Sequence, residues 1–274
     1  MITVLYRYFT LYADEKLLSE IEELCLSEGF YNFFSEEIDS KLWRVKVYLE
    51  STEELPAFLR RYSFEFGGEE LEAKWWKKFK DSLKPFMLTP NTKLIPLEEP
   101  VRITDEGSMG IIPGRAFGTG QHETTKLAAL FLERYLKTGA MVLDVGAGTG
   151  ILSALAIKKG ASKAVALDID KAAIEKCRET AWINNVSIDA RVSDFLSALE
   201  PGEHFDIIVS NMIVELLKGF VKETVKHLKP NGVLILSGIL TEKFDSFMDT
   251  LEDTFSILET EELNEWKAAV LKRR

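Results

Sequence analysis

The chain has 274 residues, 46% hydrophobic and 28% charged, which suits one large or two ordinary folded domains and excludes a mostly disordered chain. Lys+Arg is 34 and Asp+Glu 44, a net charge of −10. That balance repels a phosphate backbone, so no direct nucleic-acid role is expected, while a basic protein partner would be attracted.

No run of 18 uncharged apolar residues occurs, and residues 1–11 alternate like a strand, so neither a membrane span nor a signal peptide is expected. Cys25 and Cys177 stand far apart, and His122, His204 and His227 do not cluster. The chain therefore reads as a reduced, cytoplasmic protein with no disulfide framework and no metal site.

Residues 2–9 are rich in β-branched and aromatic side chains and predict a strand. Asp14 caps a predicted helix to about Glu28, with Leu17, Leu18, Ile21, Leu24 and Cys25 apolar and Gly29 as its stop. Strands follow at 30–35 and 42–49. Ser51 and Glu54 have capping-box spacing for a short helix to about Arg61, and a further strand is expected at 62–66. The order β-α-β-β-α-β is that of a ferredoxin-like domain. Residues 70–80, with Trp75-Trp76, predict a helix. Pro85, Pro90, Pro96 and Pro100 then mark a linker, with a boundary near residue 95. The domains are therefore expected at 1–82 and 101–274, with 83–100 between them.

The second part alternates strands and helices, which means a mostly parallel sheet with crossover helices. Strands are predicted at 141–145, 164–167, 205–210 and 233–237, and helices at 151–159 and 171–184. Two late strands, 255–258 and 268–271, predict an antiparallel hairpin at the sheet edge.

Chemistry enters at Val142-Leu143-Asp144-Val145-Gly146-Ala147-Gly148-Thr149-Gly150, an apolar strand running into a Gly-rich turn that opens a helix. Asp168, 22 residues after Gly146, ends the next strand, where a carboxylate accepts hydrogen bonds from ribose hydroxyls. The G-x-G-x-G spacing differs from the G-x-G-x-x-G of dinucleotide enzymes, which disfavours an NAD oxidoreductase. A tight turn with no ligand and a merely solvated Asp168 remain the plainer alternatives. Asp170 reads as a helix N-cap.

That turn resembles the first motif of class I S-adenosylmethionine (SAM) methyltransferases. The stretch Pro113-Gly114-Arg115-Ala116-Phe117-Gly118-Thr119-Gly120-Gln121-His122-Glu123-Thr124-Thr125 lies before it. Ser210-Asn211-Met212-Ile213 and Leu236-Ser237-Gly238-Ile239-Leu240 follow it. Together they resemble the ribosomal protein L11 methyltransferase family over about residues 113–274. The resemblance implies a class I, Rossmann-like α/β methyltransferase domain and a small N-terminal α+β domain that recognises the substrate. It also implies S-adenosyl-L-methionine as cofactor and trimethylation of lysine and N-terminal α-amino groups of ribosomal protein L11, free or before full ribosome assembly, by a monomer.

Residue by residue, the family's cofactor contacts fall on Thr125, Gly146, Asp168 and Asn211. Gly148 and Gly150 belong to the same loop, and Phe117 and His122 match the family's pre-sheet stretch. Met212-Ile213 departs from the usual Ile-Leu, and Pro96-Leu97-Glu98-Glu99-Pro100 stands where the family carries a Pro-Ser-Trp stretch. Asp194 and Phe195 occupy the place where class I enzymes contact adenine, although Phe195 suits a core position equally. Asn211 is read as the residue that orients the incoming amine, or as a turn residue. His122 is a candidate general base or a hydrogen-bonding structural residue. A class I methyltransferase with another protein or small-molecule substrate and a non-catalytic SAM-binding assembly module remain the competing readings.

Overall fold

The computed structural model describes residues 5–28, 30, 33–39, 41–50, 53–71, 84–113 and 120–274. Two compact units make up the chain, Met1–Leu83 and Lys84–Arg274.

In the first unit, β1 (Leu5–Ala13), β2 (Phe33–Asp39), β3 (Leu42–Glu50) and β4 (Glu65–Leu71) form an antiparallel sheet in the order β2-β3-β1-β4, and α1 (Glu15–Ser27) follows β1. Asp14 caps α1 through its Oδ1, which accepts the Leu17 N–H at 2.8 Å. Leu18, Ile21 and Cys25 recur on one face of α1 and are buried against Val45, Val47 and Leu49.

This is the expected split β-α-β arrangement, with two differences. Where a helix to Arg61 was expected, only a 3-10 turn forms, Ala57–Leu59. Pro56 precedes it and closes the backbone to a helix starting earlier. Glu70 and Leu71 pair with Tyr6 and Leu5 in β4 rather than opening a helix. Trp75 and Trp76 lie outside the described residues.

In the second unit, β5 (Phe86–Thr89), β6 (Thr92–Pro96) and β7 (Ser108–Ile111) form a three-stranded sheet. This corrects the reading of 83–100 as a linker. Pro90 lies at the hairpin turn and Pro96 ends β6, positions where a missing N–H costs no ladder bond. Leu88, Leu94, Met109 and Ile111 join the same buried core as Phe131 and Trp266. Glu133 ties the hairpin down by accepting from Thr92 and Asn91 and pairing with Lys159.

The main sheet contains β8 (Met141–Val145), β9 (Lys163–Asp168), β10 (Asp189–Val192), β11 (Phe205–Asn211), β12 (Leu228–Leu240), β13 (Phe255–Leu263) and β14 (Trp266–Arg273). Its order is β10-β9-β8-β11-β12-β14-β13, parallel up to β12 and antiparallel in the last two pairs. The edge hairpin is as expected. α2 (Glu123–Tyr135) leads into β8, and the crossovers are α3 (Ile151–Lys158), α4 (Lys171–Ile183), the single turn α5 (Val214–Leu217) and α6 (Thr241–Asp249), the last not anticipated. β12 also begins earlier than predicted. Pro230-Asn231-Gly232 lies in a register shift between Leu228 and Val233.

Because the chain returns to the middle of the sheet after β10, β8 and β11 are neighbours whose crossovers run in opposite directions. The crevice at their carboxyl ends is where open α/β sheets hold ligands.

Candidate active site

β8 delivers the glycine turn to that crevice. Gly146, Gly148 and Gly150 have φ of 73°, 52° and 71°, a left-handed run that side chains with a Cβ rarely adopt. A Cβ on Gly150 would stand 3.0 Å from Cys177 Cβ, so α3 and α4 approach too closely there for any other residue.

The loop consumes its own amides. Gly146 N and Ala147 N donate to Leu167 O, Gly150 N donates to Ala147 O, and Gly148 N donates to Asp168 Oδ2 at 2.8 Å. A phosphate cradle needs such N–H groups unspent. This loop offers close approach instead, which fits a ligand without a pyrophosphate.

Asp168 also accepts the Asp170 N–H on Oδ1 at 2.9 Å. Each oxygen thus takes one backbone donor and keeps acceptor capacity for a diol. Asp170 caps α4 through Ala172 N, as expected.

Asp144 plays a different part. It is 1% exposed, and its Oδ2 accepts from Ser153 N and Ser153 Oγ. Burial raises its pKa from 3.8 to about 7, Ser153 opposes the rise, and the Asp168 charge adds to it. Burial also pushes the Cys25 and Cys177 thiols up to about 12, so both remain protonated.

On the other side of the crevice, Asn211 ends β11. Its neighbour Ser210 pairs with Val145, so Asn211 stands beside the start of the glycine turn. Asn211 Nδ2 donates to Oγ1 of the buried Thr125 at 3.3 Å. Asn211 Oδ1 is buried and finds no donor among the described residues. Such an orphaned acceptor costs stability unless a ligand satisfies it.

The protein comparisons identify this arrangement. The ribosomal protein L11 methyltransferase (PrmA) family matches residues 19–274. The chain belongs to the ribosomal protein L11 methyltransferase family. The relative from Thermotoga neapolitana is 36% identical over 95% of both chains, and that from Thermosipho melanesiensis 38% identical over 93% of both. A crystal structure of ribosomal protein L11 methylase from Lactobacillus delbrueckii subsp. bulgaricus aligns with a TM-score of 0.63 and 28% identity. It covers 70% of this chain and 98% of that one. The 16S rRNA N2 G1207 methyltransferase of T. thermophilus, at 22% identity, shares the fold, with a TM-score of 0.51 over 97% of this chain and 65% of that one.

For a member of this family the residues present fit S-adenosylmethionine. Asp168 presents carboxylate oxygens for a ribose, and the loop spends the amides of Gly146, Ala147, Gly148 and Gly150 internally, as suits a donor lacking pyrophosphate. No group of side chains able to hold a metal occurs among the described residues.

His122 is brought next to this set as a helix cap. Its Nδ1 accepts from Thr124 N, and its ring meets the buried Trp266 edge-on at 5.1 Å. His122→Ala is therefore expected to cost about 1 kcal/mol, or ~2–4 °C in thermal midpoint, by calorimetry. A fall in turnover far beyond that loss would instead return His122 to the role of general base.

Asp194 is exposed just beyond β10. Phe195, with φ 45°, stacks on Phe220 at 4.9 Å. Phe117 lies outside the described residues.

Sequence reasoning passed over Ile169 and Val192, apolar yet 70% and 51% exposed at the adjoining ends of β9 and β10. Their signal was the position, one residue beyond Asp168 and one before Ser193. Apolar side chains left bare beside an acidic residue at a crevice offer surface to a ring.

Proposed function

We propose that this chain methylates amino groups of ribosomal protein L11, at lysine side chains and the N-terminal α-amine. It is a SAM-dependent protein methyltransferase. When bound, S-adenosylmethionine supplies a methyl group already activated on a sulfonium sulfur. Asp168 holds its ribose, Gly146, Gly148 and Gly150 allow its close approach, and Ile169 and Val192 flank its adenine with Asp194 at the rim. Thr125 fixes Asn211 through the bond to Nδ2. Residues 1–82 recognise the substrate. The protein acts as a cytoplasmic monomer on L11 free or before full ribosome assembly, without direct nucleic-acid contact.

The observation that carries the acceptor side is the orphaned Asn211 Oδ1. A lysine has a pKa near 10.4, so only roughly one in 2500 is neutral at pH 7. Desolvation in the crevice favours the neutral amine, and Asn211 Oδ1 accepts one of its N–H bonds. That bond leaves the nitrogen lone pair free for the methyl group. Orientation of this kind is the main lever for an already activated methyl group.

Mass spectrometry of purified L11 after incubation with enzyme and SAM is expected to show mass gains in steps of one methylene. SAM binding without any gain on L11 would leave a different acceptor or the assembly-module reading. Asn211→Ala is expected to slow turnover about 10–100-fold, the value of one oriented hydrogen bond in the transition state, with SAM affinity retained in calorimetric titration. Unchanged turnover with SAM still bound would remove Asn211 from the chemistry.

A further inference from the structure

β12 contains an irregularity that the sheet does not need. Leu236 pairs with Ala269, but the next pairing is Ile239 with Lys267, so the register slips at Ser237-Gly238. Gly238 has φ 84°. A Cβ there would stand 2.7 Å from the carbonyl carbon and 3.0 Å from the nitrogen of Met212. Bulges near active sites re-aim side chains, and this one lets the chain leaving β11 press against β12.

Ser237 sits at the centre of that contact and is fully buried. Its carbonyl accepts the Met212 N–H at 3.1 Å, and its hydroxyl donates to Thr124 O at 2.8 Å. Met212 follows Asn211 and Thr124 precedes Thr125. The side chain of Met212 lies across Gly146, where a Cβ would stand 2.9 Å from Met212 Cγ. One residue of β12 therefore grips the backbone beside both members of the Asn211–Thr125 pair.

We propose that Ser237, through the Ser237-Gly238 bulge, is a positioning residue for methyl transfer that sets the Asn211 amide against Thr125 and the glycine loop. It acts through its neighbours and touches neither donor nor acceptor. The proposal rests on the reading of Asn211 as the residue that receives the amine.

Ser237→Thr and Ser237→Val have nearly the same shape and differ in the hydroxyl, so their comparison isolates the bond to Thr124. Ser237→Val is expected to lower the single-turnover rate on L11 about 10-fold relative to Ser237→Thr, with SAM dissociation constants within about twofold of each other. A structural role alone would move the thermal midpoint and leave that ratio near one.

A second readout needs no substrate. The side-chain amide of Asn211, assigned in nitrogen–proton NMR spectra by its disappearance in Asn211→Ala, is expected to shift in Ser237→Ala and Ser237→Val and to stay near its wild-type position in Ser237→Thr. Equal rates for the Thr and Val variants, or an amide signal indifferent to the hydroxyl, would overturn the proposal. If wild-type enzyme methylates no L11, the acceptor reading fails separately, and the amide signal still decides whether Ser237 positions Asn211.

Discussion

Asp168→Ala is expected to weaken SAM binding about 100–1000-fold in calorimetric titration while leaving the protein folded. A hydrogen bond to a charged group contributes ~1.5–3 kcal/mol, and a ribose offers two hydroxyls to this carboxylate. The same side chain accepts the Gly148 N–H, so its removal also frees the middle of the glycine loop and adds an ordering cost to binding. Two such bonds at the lower end of that range, with a small cost for the loosened loop, reach ~3–4 kcal/mol, or two to three powers of ten.

The fold should tolerate the change, because Asp168 lies at the end of β9 and is half-buried, outside the packed cores. Asp168→Asn keeps the shape and one acceptor oxygen, so an intermediate loss of about 10-fold is expected. Affinity within threefold of wild type in Asp168→Ala would show that the sugar is held elsewhere, and the proposed orientation of the donor would fall with it.

The meeting of the glycine turn with Asp168 was legible because it is local. Gly146, Gly148, Gly150 and the strand feeding them are consecutive, and Asp168 follows after one crossover, so spacing alone brings them together. Asn211 could be placed at a strand end, but its orphaned oxygen depends on Thr125, 86 residues away in the chain.

The Ser237-Gly238 bulge is still less visible, since it arises from the meeting of β11, β12, β14 and the first turn of α2. His122 shows the same limit. A histidine before a helix spells either a base or a cap, and the capping bond to the Thr124 N–H and the contact with the Trp266 ring become visible only in the fold.

Where the fold was misread, strong local signals were overridden by packing. Four prolines suggested a free linker. Leu88 and Leu94 are nevertheless 2% and 0% exposed, because Pro90 and Pro96 occupy the turn and strand end where a hairpin admits them and Pro85 and Pro100 lie outside the strands. Ser51 and Glu54 spelled a helix start, but Pro56 left room only for Ala57–Leu59.

Asp144→Asn is the other substitution with a large expected effect, and its sign depends on pH. The folded-state pKa of Asp144 is raised to about 7 from 3.8, so between these values the folded chain binds more protons than the unfolded one. The stability associated with the neutral carboxyl is fully present below pH 3.8 and is lost as pH rises through 7.

The groups that act on it are Ser153 on α3 and Asp168 on β9, and its own charge is felt by Cys177 on α4. Asn carries no titration and can still accept both Ser153 donors through its carbonyl oxygen. The stability difference between Asp144→Asn and wild type is therefore expected to shift in favour of the variant by about 2–3 kcal/mol between pH 5 and pH 8, near 1.4 kcal/mol per unit up to 7 and flat beyond.

Urea unfolding of both proteins across that range checks it, with equal slopes required so that the midpoints report stability alone. A difference that stays constant with pH would mean that Asp144 is ionised in the fold at every pH tested. In that case Ser153 and the start of α3 would have to hold a buried carboxylate against both desolvation and the charge of Asp168.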